Sequence, residues 1–241
     1  MDEITDVTIV PLTEPSDFVK PFRMRYVQTG RKKNWDLLLQ KPGVGVIIHN
    51  ITRKKLILVK QFRPAVYASA LNRNSTVLEQ PNTTSLHIKE GITLEICAGM
   101  IDKPDKTPKE IAQSEVLEEC GYDVPLAHFE HVITFLSGVG LAGQYMHLFY
   151  TEVTDQMCIS EGGGLESEGE MIDVVEMSHQ DVQNYLKLSH IQSPMFTIFG
   201  LTWFLTNRIN NGKSTVDMFN VILGPVSGML ALGLGAMWLY S

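Results

Sequence analysis

Runs of aliphatic residues separated by polar turns dominate the middle of the chain. Residues 44–49 and 55–60 are two such runs, joined by the polar turn 50–54. Because their aliphatic character is almost unbroken, we expect two strands that are buried on both faces. Shorter runs with strand character are found at residues 22–27, 131–135, 146–153 and 171–175. The pattern predicts a sheet in the core, and helices are predicted from Ser178 and over 195–205.

The stretch from Thr107 to Gly121 carries the start and stop signals of one helix. Thr107 can cap the first amides, Pro108 suits the first helical position, and Glu110 completes a Thr-x-x-Glu capping box. Gly121 is suited to the left-handed residue that ends a helix. A strand-like segment at 94–99 precedes it. The sequence therefore predicts a strand, a turn and a short helix in succession.

Three carboxylates share one face of this helix. Glu115, Glu118 and Glu119 stand at positions i, i+3 and i+4, where like charges cost roughly a few tenths of a kcal/mol per pair. A divalent cation would turn that repulsion into attraction, and Mg²⁺ prefers carboxylate oxygens, substrate phosphates and water. The alternative is an ordinary solvated acidic helix face.

Composition limits the classes of partner. The chain has 241 residues, enough to bury a substantial core in one or two domains. Its net charge of −7 argues against a nucleic-acid partner, because phosphate binding needs a basic surface. The three cysteines show no CxxC spacing, which favours buried or bystander thiols in a reducing compartment such as the cytoplasm. The first residues lack the features of a signal peptide.

Two further segments carry candidate chemistry. Arg63 follows a buried strand and precedes a proline, which favours extended geometry. Its guanidinium could bind a diphosphate in a two-point fashion, or form a structural salt bridge. The acidic, Gly-rich segment 161–170 is predicted to be a mobile loop that either is simply solvated or swings in a metal ligand and a general base. Residues 68–92 are polar and patternless, which is typical of a long surface loop.

The two ends of the chain differ from the middle. Residues 1–40 are predicted to be short strands and turns that form a small dimerisation sheet. After a polar linker at 209–220, residues 221–240 carry no charge and are long enough to cross a bilayer. Trp238 and Tyr240 stand where interfacial anchors do. We predict a C-terminal membrane anchor that tethers a cytoplasmic domain, with an apolar tail packed on the protein as the alternative.

The strand, turn and Glu-rich helix together resemble the signature of the Nudix hydrolases. That signature is a Gly, a fixed spacer, and then Arg-Glu-apolar-x-Glu-Glu-x-Gly-apolar. The matching residues are Glu115, Val116, Glu118, Glu119, Gly121 and Tyr122. Ser114 occupies the position of the Arg, the spacer from Gly99 is one residue longer than usual, and the additional Glu of the signature is replaced by Asp105 or Lys106.

Other segments between about residues 20 and 208 extend the resemblance. They are similar to the Nudix branch that hydrolyses nucleotide sugars, particularly to the uridine diphosphate glucose pyrophosphatase type. The ADP-ribose pyrophosphatases are relatives of this branch. The resemblance implies an α/β/α Nudix sandwich with a mixed central sheet over residues 41–208, and an N-terminal β segment that contributes to a homodimer. It implies Mg²⁺-dependent hydrolysis of UDP-glucose to UMP and glucose 1-phosphate. Two alternatives are an ADP-ribose diphosphatase and a weakly active or inactive module that binds nucleotide sugars.

The resemblance also implies roles for individual residues. The expected metal ligands are the Ala98 carbonyl and the carboxylates of Glu115, Glu119 and Glu170. Glu118 would ligate or orient, Glu168 would act as the general base, and Arg63 would hold the diphosphate. Because the hydroxyl of Ser114 cannot replace a guanidinium, we expect either weak activity or another cation in its place.

Overall fold

The computed structural model describes residues 7, 9–16, 19–73 and 87–209. Within these ranges the chain forms nine strands and four α-helices. The strands are β1 (Pro21–Gln28), β2 (Arg31–Leu38), β3 (Gly43–Asn50), β4 (Lys55–Phe62), β5 (Ile92–Glu95), β6 (Cys97–Met100), β7 (Glu130–Ser137), β8 (Gln144–Val153) and β9 (Ile172–Ser178). The helices are α1 (Pro64–Arg73), α2 (Pro108–Cys120), α3 (His179–Tyr185) and α4 (Met195–Phe204), and a π-helical turn, Leu205–Ile209, extends α4. Short 3₁₀ turns occur at Ile88–Gly91, Leu126–His128, Asp155–Met157 and Glu166–Glu168.

Strands β3 to β9 form one mixed sheet. Strand β3 pairs in parallel with β8 and antiparallel with β4 and β6. Strand β4 also pairs with β5 and β9, while β7 pairs with β8, all antiparallel. Both faces of the sheet are covered, as the aliphatic runs of β3 and β4 predicted. Val46 contributes to a core on the side of α2, and Ile47 to a second core on the side of α4. The fold is thus the α/β/α sandwich with a mixed sheet that the sequence predicted.

Helix α2 begins and ends where its sequence signals predicted. The side chain of Thr107 accepts a hydrogen bond from the Glu110 amide, and the Glu110 carboxylate accepts one from the Thr107 amide in return. Gly121 has φ of 76°, the left-handed conformation that glycine adopts without strain. Because both ends are fixed, the carboxylates on this helix have defined positions.

The prediction of a surface loop over residues 68–92 is wrong at both ends of this range. Helix α1 includes residues 68–73, and a 3₁₀ turn covers Ile88–Gly91. Tyr67, Ala70 and Leu71 are buried, and their spacing is that of one helix face. The small and polar residues around them hid this short helical pattern.

The strand-like segment 94–99 is two strands rather than one. Strand β5 pairs with β4 up to Glu95, and β6 pairs with β3 from Cys97, so the chain changes its neighbour at Ile96. This change places Glu95 beside β4 and Ala98 beside β3, three residues apart. Both residues belong to the candidate site described below.

The predicted N-terminal β segment is a separate hairpin of β1 and β2. Two hydrogen bonds attach it to the β7–β8 loop: the Trp35 indole donates to the Gly140 carbonyl at 3.0 Å, and the Leu38 amide donates to the Leu141 carbonyl at 2.8 Å. Met24 and Trp35, which are cross-strand neighbours, remain 54% and 50% exposed. The hairpin therefore presents an apolar face outside the main core.

In the part of the chain that the structure describes, every helix is too short or too polar to cross a bilayer. Apart from Ile209, which ends the π-helical turn, the predicted linker 209–220 and the predicted anchor 221–240 lie outside the described residues. Both remain predictions.

Candidate functional site

The centre of the site is the contact between helix α2 and strand β6. Glu119 is 2% exposed, and its Oε2 atom accepts a hydrogen bond from the Ala98 amide at 3.0 Å. Glu115 lies against Gly99, where an added Cβ would stand 2.0 Å from the Glu115 Oε1 atom. Glycine at position 99 is therefore what lets the Glu115 carboxylate approach the strand.

The acidic loop is docked onto the end of the same helix. The amide of Gly163 donates to the Glu119 carbonyl at 2.9 Å, and the amide of Gly164 donates to the Glu118 carbonyl at 3.1 Å. Gly162 has φ of +70°, and a Cβ on it would stand 2.3 Å from the Glu119 carbonyl oxygen. The sequence indicated a mobile loop, but glycine allows the start of this loop to lie directly on the backbone of α2.

Glu170 belongs to the same arrangement. Its Oε2 atom accepts a hydrogen bond from the Leu165 amide at 3.0 Å, which folds the end of the loop back towards its docked start. The pKa of Glu119 is raised to about 8, mainly by burial and also by the nearby charges of Glu115 and Glu170, against the lowering effect of the hydrogen bonds from Ala98 and Cys97. The charges of three expected metal ligands thus act on one another, although their side chains are not assembled into a ligand set.

The donor set fits a hard divalent cation. Without a cation the buried carboxylate of Glu119 meets two like charges, and a bound Mg²⁺ would compensate them. Among the described residues, no group of three or more His, Cys, Asp or Glu side chains is arranged so that it could already hold a metal ion. Mg²⁺ usually keeps several waters and takes substrate phosphate oxygens besides one or two carboxylates.

Arg63 stands at the end of β4 in a two-point ion pair with Glu95. Its Nε atom donates to Glu95 Oε1 at 2.8 Å and its terminal NH2 nitrogen donates to Oε2 at 2.7 Å. The Arg63 side chain is 45% exposed, whereas that of Glu95 is 6% exposed and also accepts from the Thr93 hydroxyl at 2.6 Å. The pKa of Arg63 is raised by this pair first and also by the charges of Glu119 and Glu170. Arg63 therefore lies within electrostatic reach of the carboxylate cluster, and its role in holding a diphosphate stays a prediction.

Lys106 provides a cation beside Ser114. The Lys106 ammonium, from the turn before α2, donates to the Ser114 hydroxyl at 2.9 Å. A positive charge therefore lies next to the residue that occupies the signature's Arg position. Glu118 is half-buried, and its carbonyl anchors the loop. The backbone of Glu168 lies in the turn Glu166–Glu168, whereas its side chain lies outside what the structure describes.

Sequence reasoning did not identify Glu95 as a functional residue. Its signal was present, since an acidic residue between Leu94 and Ile96 interrupts an otherwise apolar strand. A buried carboxylate requires a partner, and Arg63 was the nearest candidate cation at the end of a neighbouring predicted strand.

Comparison with known proteins places the chain in a family. No family model matches it. The chain is 35% identical to the uridine diphosphate glucose pyrophosphatase NUDT14 of Mus musculus over 215 residues, which are 86% of this chain and 97% of the relative. It is 36% identical to the protein of the same name from Bos taurus, over 79% of this chain and 90% of the relative. The GDP-mannose pyrophosphatase of Cronobacter sakazakii is 30% identical over 62% of this chain and 73% of its own length. With this similarity over most of its length, and with the Glu-rich helix and strand arranged as described, the chain belongs to the Nudix hydrolases.

Proposed function

We propose that this protein hydrolyses the diphosphate bond of nucleoside diphosphate sugars, and that UDP-glucose, cleaved to UMP and glucose 1-phosphate, is its preferred substrate. The observation that carries the proposal is the buried carboxylate of Glu119, which is bound by the Ala98 amide, is influenced by the charges of Glu115 and Glu170, and itself acts on Arg63. The names of the mouse and bovine relatives support the choice of UDP-glucose.

The geometry supports the following assignment of roles to individual residues. The carboxylates of Glu115, Glu119 and Glu170 and the carbonyl of Ala98 would hold Mg²⁺. When bound, the metal supplies charge neutralisation on the phosphate oxygens and a more acidic water. Arg63 would bind the diphosphate through the N–H groups that Glu95 leaves free, while Glu95 fixes the plane of the guanidinium.

The proposed proton acceptor is a carboxylate of the acidic loop. Glu168 is the proposed general base that takes the proton from the attacking water. Glu118 would orient the other carboxylates, or ligate with them, from the α2 side. The ammonium of Lys106 beside Ser114 is the proposed substitute for the guanidinium of the family signature.

The test is direct. Purified protein is incubated with UDP-glucose, GDP-mannose and ADP-ribose, with and without Mg²⁺, and released monophosphates are separated and quantified. We expect UMP and glucose 1-phosphate from UDP-glucose, dependent on a divalent cation and abolished in Glu168→Gln. If none of the three substrates releases a monophosphate, the enzymatic proposal is wrong and the chain is a binding module.

Two further parts of the proposal concern assembly and location. The exposed apolar face of the β1–β2 hairpin supports a homodimer, because an isolated two-stranded hairpin is only marginally stable in water. The uncharged segment 221–240 supports a C-terminal membrane anchor. Deletion of residues 214–241 followed by cell fractionation tests the anchor, and a full-length chain found wholly in the soluble fraction would contradict it.

A further inference from the structure

A cleft of about 650 Å³ opens next to Arg63. One of its walls is the start of α1, with Ala65 and Val66, and the opposite wall is the segment 190–194. This volume lies within the range of about 300–1,000 Å³ that is usual for small-molecule sites. Arg63 and Glu95 line the cleft, and Arg63 is also within reach of the charges of Glu119 and Glu170. The cleft is therefore continuous with the proposed diphosphate site.

The wall formed by segment 190–194 is fixed by hydrogen bonds rather than loosely placed. The Gln192 carbonyl accepts from the Leu94 amide at 3.1 Å, and the Gln192 side chain donates to the Lys89 and Glu90 carbonyls at 3.1 and 2.8 Å. The Ser193 hydroxyl donates to the Leu94 carbonyl at 2.5 Å. These bonds tie the wall to the edge of β5, so the cleft exists before any ligand enters.

The lining of the cleft combines hydrogen-bond acceptors with a small apolar surface. Glu90 stands at the rim, and its carboxylate makes no hydrogen bond or ion pair with any other described residue. An ionised carboxylate only accepts hydrogen bonds, which suits the hydroxyl groups of a sugar. Ile191 and Pro194 add apolar surface, against which the C–H face of a hexose can pack.

A nucleobase would require a different lining of the cleft. Proteins bind bases mainly by stacking them on planar side chains. The described lining residues of the cleft include no Phe, Tyr or Trp, and the imidazole of His190 is exposed. The remaining planar group, the guanidinium of Arg63, is held by Glu95 and is assigned to the diphosphate.

We propose that this cleft binds the sugar of the nucleotide sugar, and that Glu90 and Ile191 help to determine which sugar is accepted. The inference rests on the proposed function, because it takes Arg63 as the point at which the diphosphate enters. Glu90 accepts hydrogen bonds from sugar hydroxyls, and Ile191 limits the size of the substituent that fits beside them.

Two substrate series distinguish a sugar site from a base site. The first series varies the sugar on UDP: glucose, galactose and N-acetylglucosamine. The second varies the base on glucose: UDP-, ADP- and GDP-glucose. The values of kcat and KM are measured for wild type, Glu90→Gln, Ile191→Ala and the control Asp123→Asn, which removes an exposed carboxylate that does not line the cleft.

We expect Glu90→Gln to lower kcat/KM for UDP-glucose about fivefold, mostly through KM, which is the size of one lost hydrogen bond. Ile191→Ala should favour UDP-N-acetylglucosamine over UDP-glucose by about threefold or more, as for a pocket enlarged by a few methylenes. Ratios within the base series should stay as in wild type, and the control should change neither series. If the variants change the base series, or neither series, the assignment of the cleft to the sugar is wrong.

A failure of the proposed function gives a different result. In that case wild type releases no monophosphate from any substrate, and binding of the sugar series is measured by calorimetry with Ca²⁺ in place of Mg²⁺. If Ile191→Ala still changes the relative affinity for UDP-N-acetylglucosamine and UDP-glucose, the cleft binds the sugar although the chain is not an enzyme. If it does not, the assignment of the cleft is also wrong.

Discussion

The guanidinium of Arg63 and the carboxylate of Glu95 form a two-point ion pair in which only the arginine reaches solvent. Its N···O distances are 2.8 and 2.7 Å. The nearly buried carboxylate fixes the plane of the guanidinium, and the exposed N–H groups remain for another anion. Such an arrangement prepares a cation for binding without the entropy loss that an unrestrained arginine would undergo.

Glu95→Gln should therefore weaken substrate binding although Glu95 itself is not expected to contact the substrate. Loss of the carboxylate leaves Arg63 unrestrained and costs about 1 kcal/mol of folding free energy, the net contribution of a typical hydrogen bond, because the half-exposed guanidinium can be solvated instead. KM for the diphosphate substrate should rise more than kcat falls, as measured by steady-state kinetics and chemical denaturation. The matched control is Asp36→Asn, which removes the acid from the fully exposed pair with Arg23. An equal effect of both variants on KM would contradict the role of Glu95.

Glu119→Gln should separate stability from activity. The pKa of Glu119 is raised to about 8, so its ionised form is disfavoured in the metal-free protein. The neutral, isosteric amide should leave the metal-free protein equally or more stable, while activity falls by about two orders of magnitude, the scale of losing one electrostatic group at a reacting centre. Mg²⁺ should raise the Tm of wild type but not that of the variant. Glu110→Ala, on the same helix, should lower the stability and leave the activity unchanged, because it removes the reciprocal cap and leaves the metal ligands in place.

Gly162→Ala should release the acidic loop from helix α2. The added Cβ meets the Glu119 carbonyl oxygen at 2.3 Å, and φ at this position is +70°. The control Gly30→Ala has nearly the same φ, +76°, but no atom within 4 Å of its Cβ, so it should cost only about 1–2 kcal/mol of left-handed strain. Activity and hydrogen exchange over residues 161–170 are the measurements. If both variants leave the exchange of this loop at the wild-type level, the docking is unimportant.

His49 and His179 contribute stability that should be lost as the pH is lowered from 7.5 to 5.5, whereas Glu119, whose pKa is raised to about 8, contributes a change of the opposite sign in the metal-free protein. Their Nε2 atoms are 3.3 Å apart, and the ring of Phe204 packs on both. Burial lowers the pKa of both histidines from 6.5. The pKa of His49 is lowered further by His179, against the opposing charge of Glu152, and the pKa of His179 is lowered further by the charge of Lys54. Because the pKa values of both histidines are lower in the folded protein, the unfolded chain binds more protons than the folded protein below about pH 6.5. The stability that the neutral histidines contribute above this pH is therefore lost below it. The slope is at most about 1.4 kcal/mol per pH unit and group. Denaturation between pH 7.5 and 5.5 should show that His179→Gln gains stability relative to wild type as the pH falls, whereas the exposed control His128→Gln should keep a constant difference from wild type.

Met24→Glu should convert the proposed dimer into a monomer. Met24 stands opposite Trp35 on the face of the hairpin that also carries Phe22, so a charge there would be buried without a partner in the interface. Val27→Glu is the control, since Val27 is 67% exposed and points to the other face of the same strand. Light scattering after size-exclusion chromatography gives the mass of each variant. A wild-type chain that is already monomeric at micromolar concentration would make the dimer proposal wrong.

The sequence predicted those elements whose signals are local. Helix α2 has its capping box and its terminal glycine within 15 residues, and β3 and β4 are recognisable because both faces of each strand are aliphatic. Helix α1 was missed because it is short and only one of its sides is buried. The few buried residues on that side, such as Ala70, stand between small and polar neighbours and give a weak pattern. The resemblance pointed to Glu115, Glu119 and Glu170, and the structure places Glu115 and Glu170 near enough to Glu119 for their charges to raise its pKa. Their role as metal ligands stays a prediction.

What the sequence could not predict depends on contacts between distant segments. The pairing of Arg63 with Glu95 requires the register of β4 against β5, and the docking of Gly163 requires the end of α2 to meet a loop more than 40 residues later. The ammonium of Lys106 beside Ser114 depends on the path of a turn. None of these contacts produces a periodic pattern in the sequence.

The change of strand partner at Ile96 has a consequence for how the protein loses activity. Residues on its two sides restrain Arg63, through Glu95, and Glu119, through the Ala98 amide. A local opening of these few residues would disorganise both anchoring points together, well before the whole domain melts. Heat or mild denaturant should thus inactivate the protein in a single early step, with substrate affinity and metal affinity vanishing in parallel.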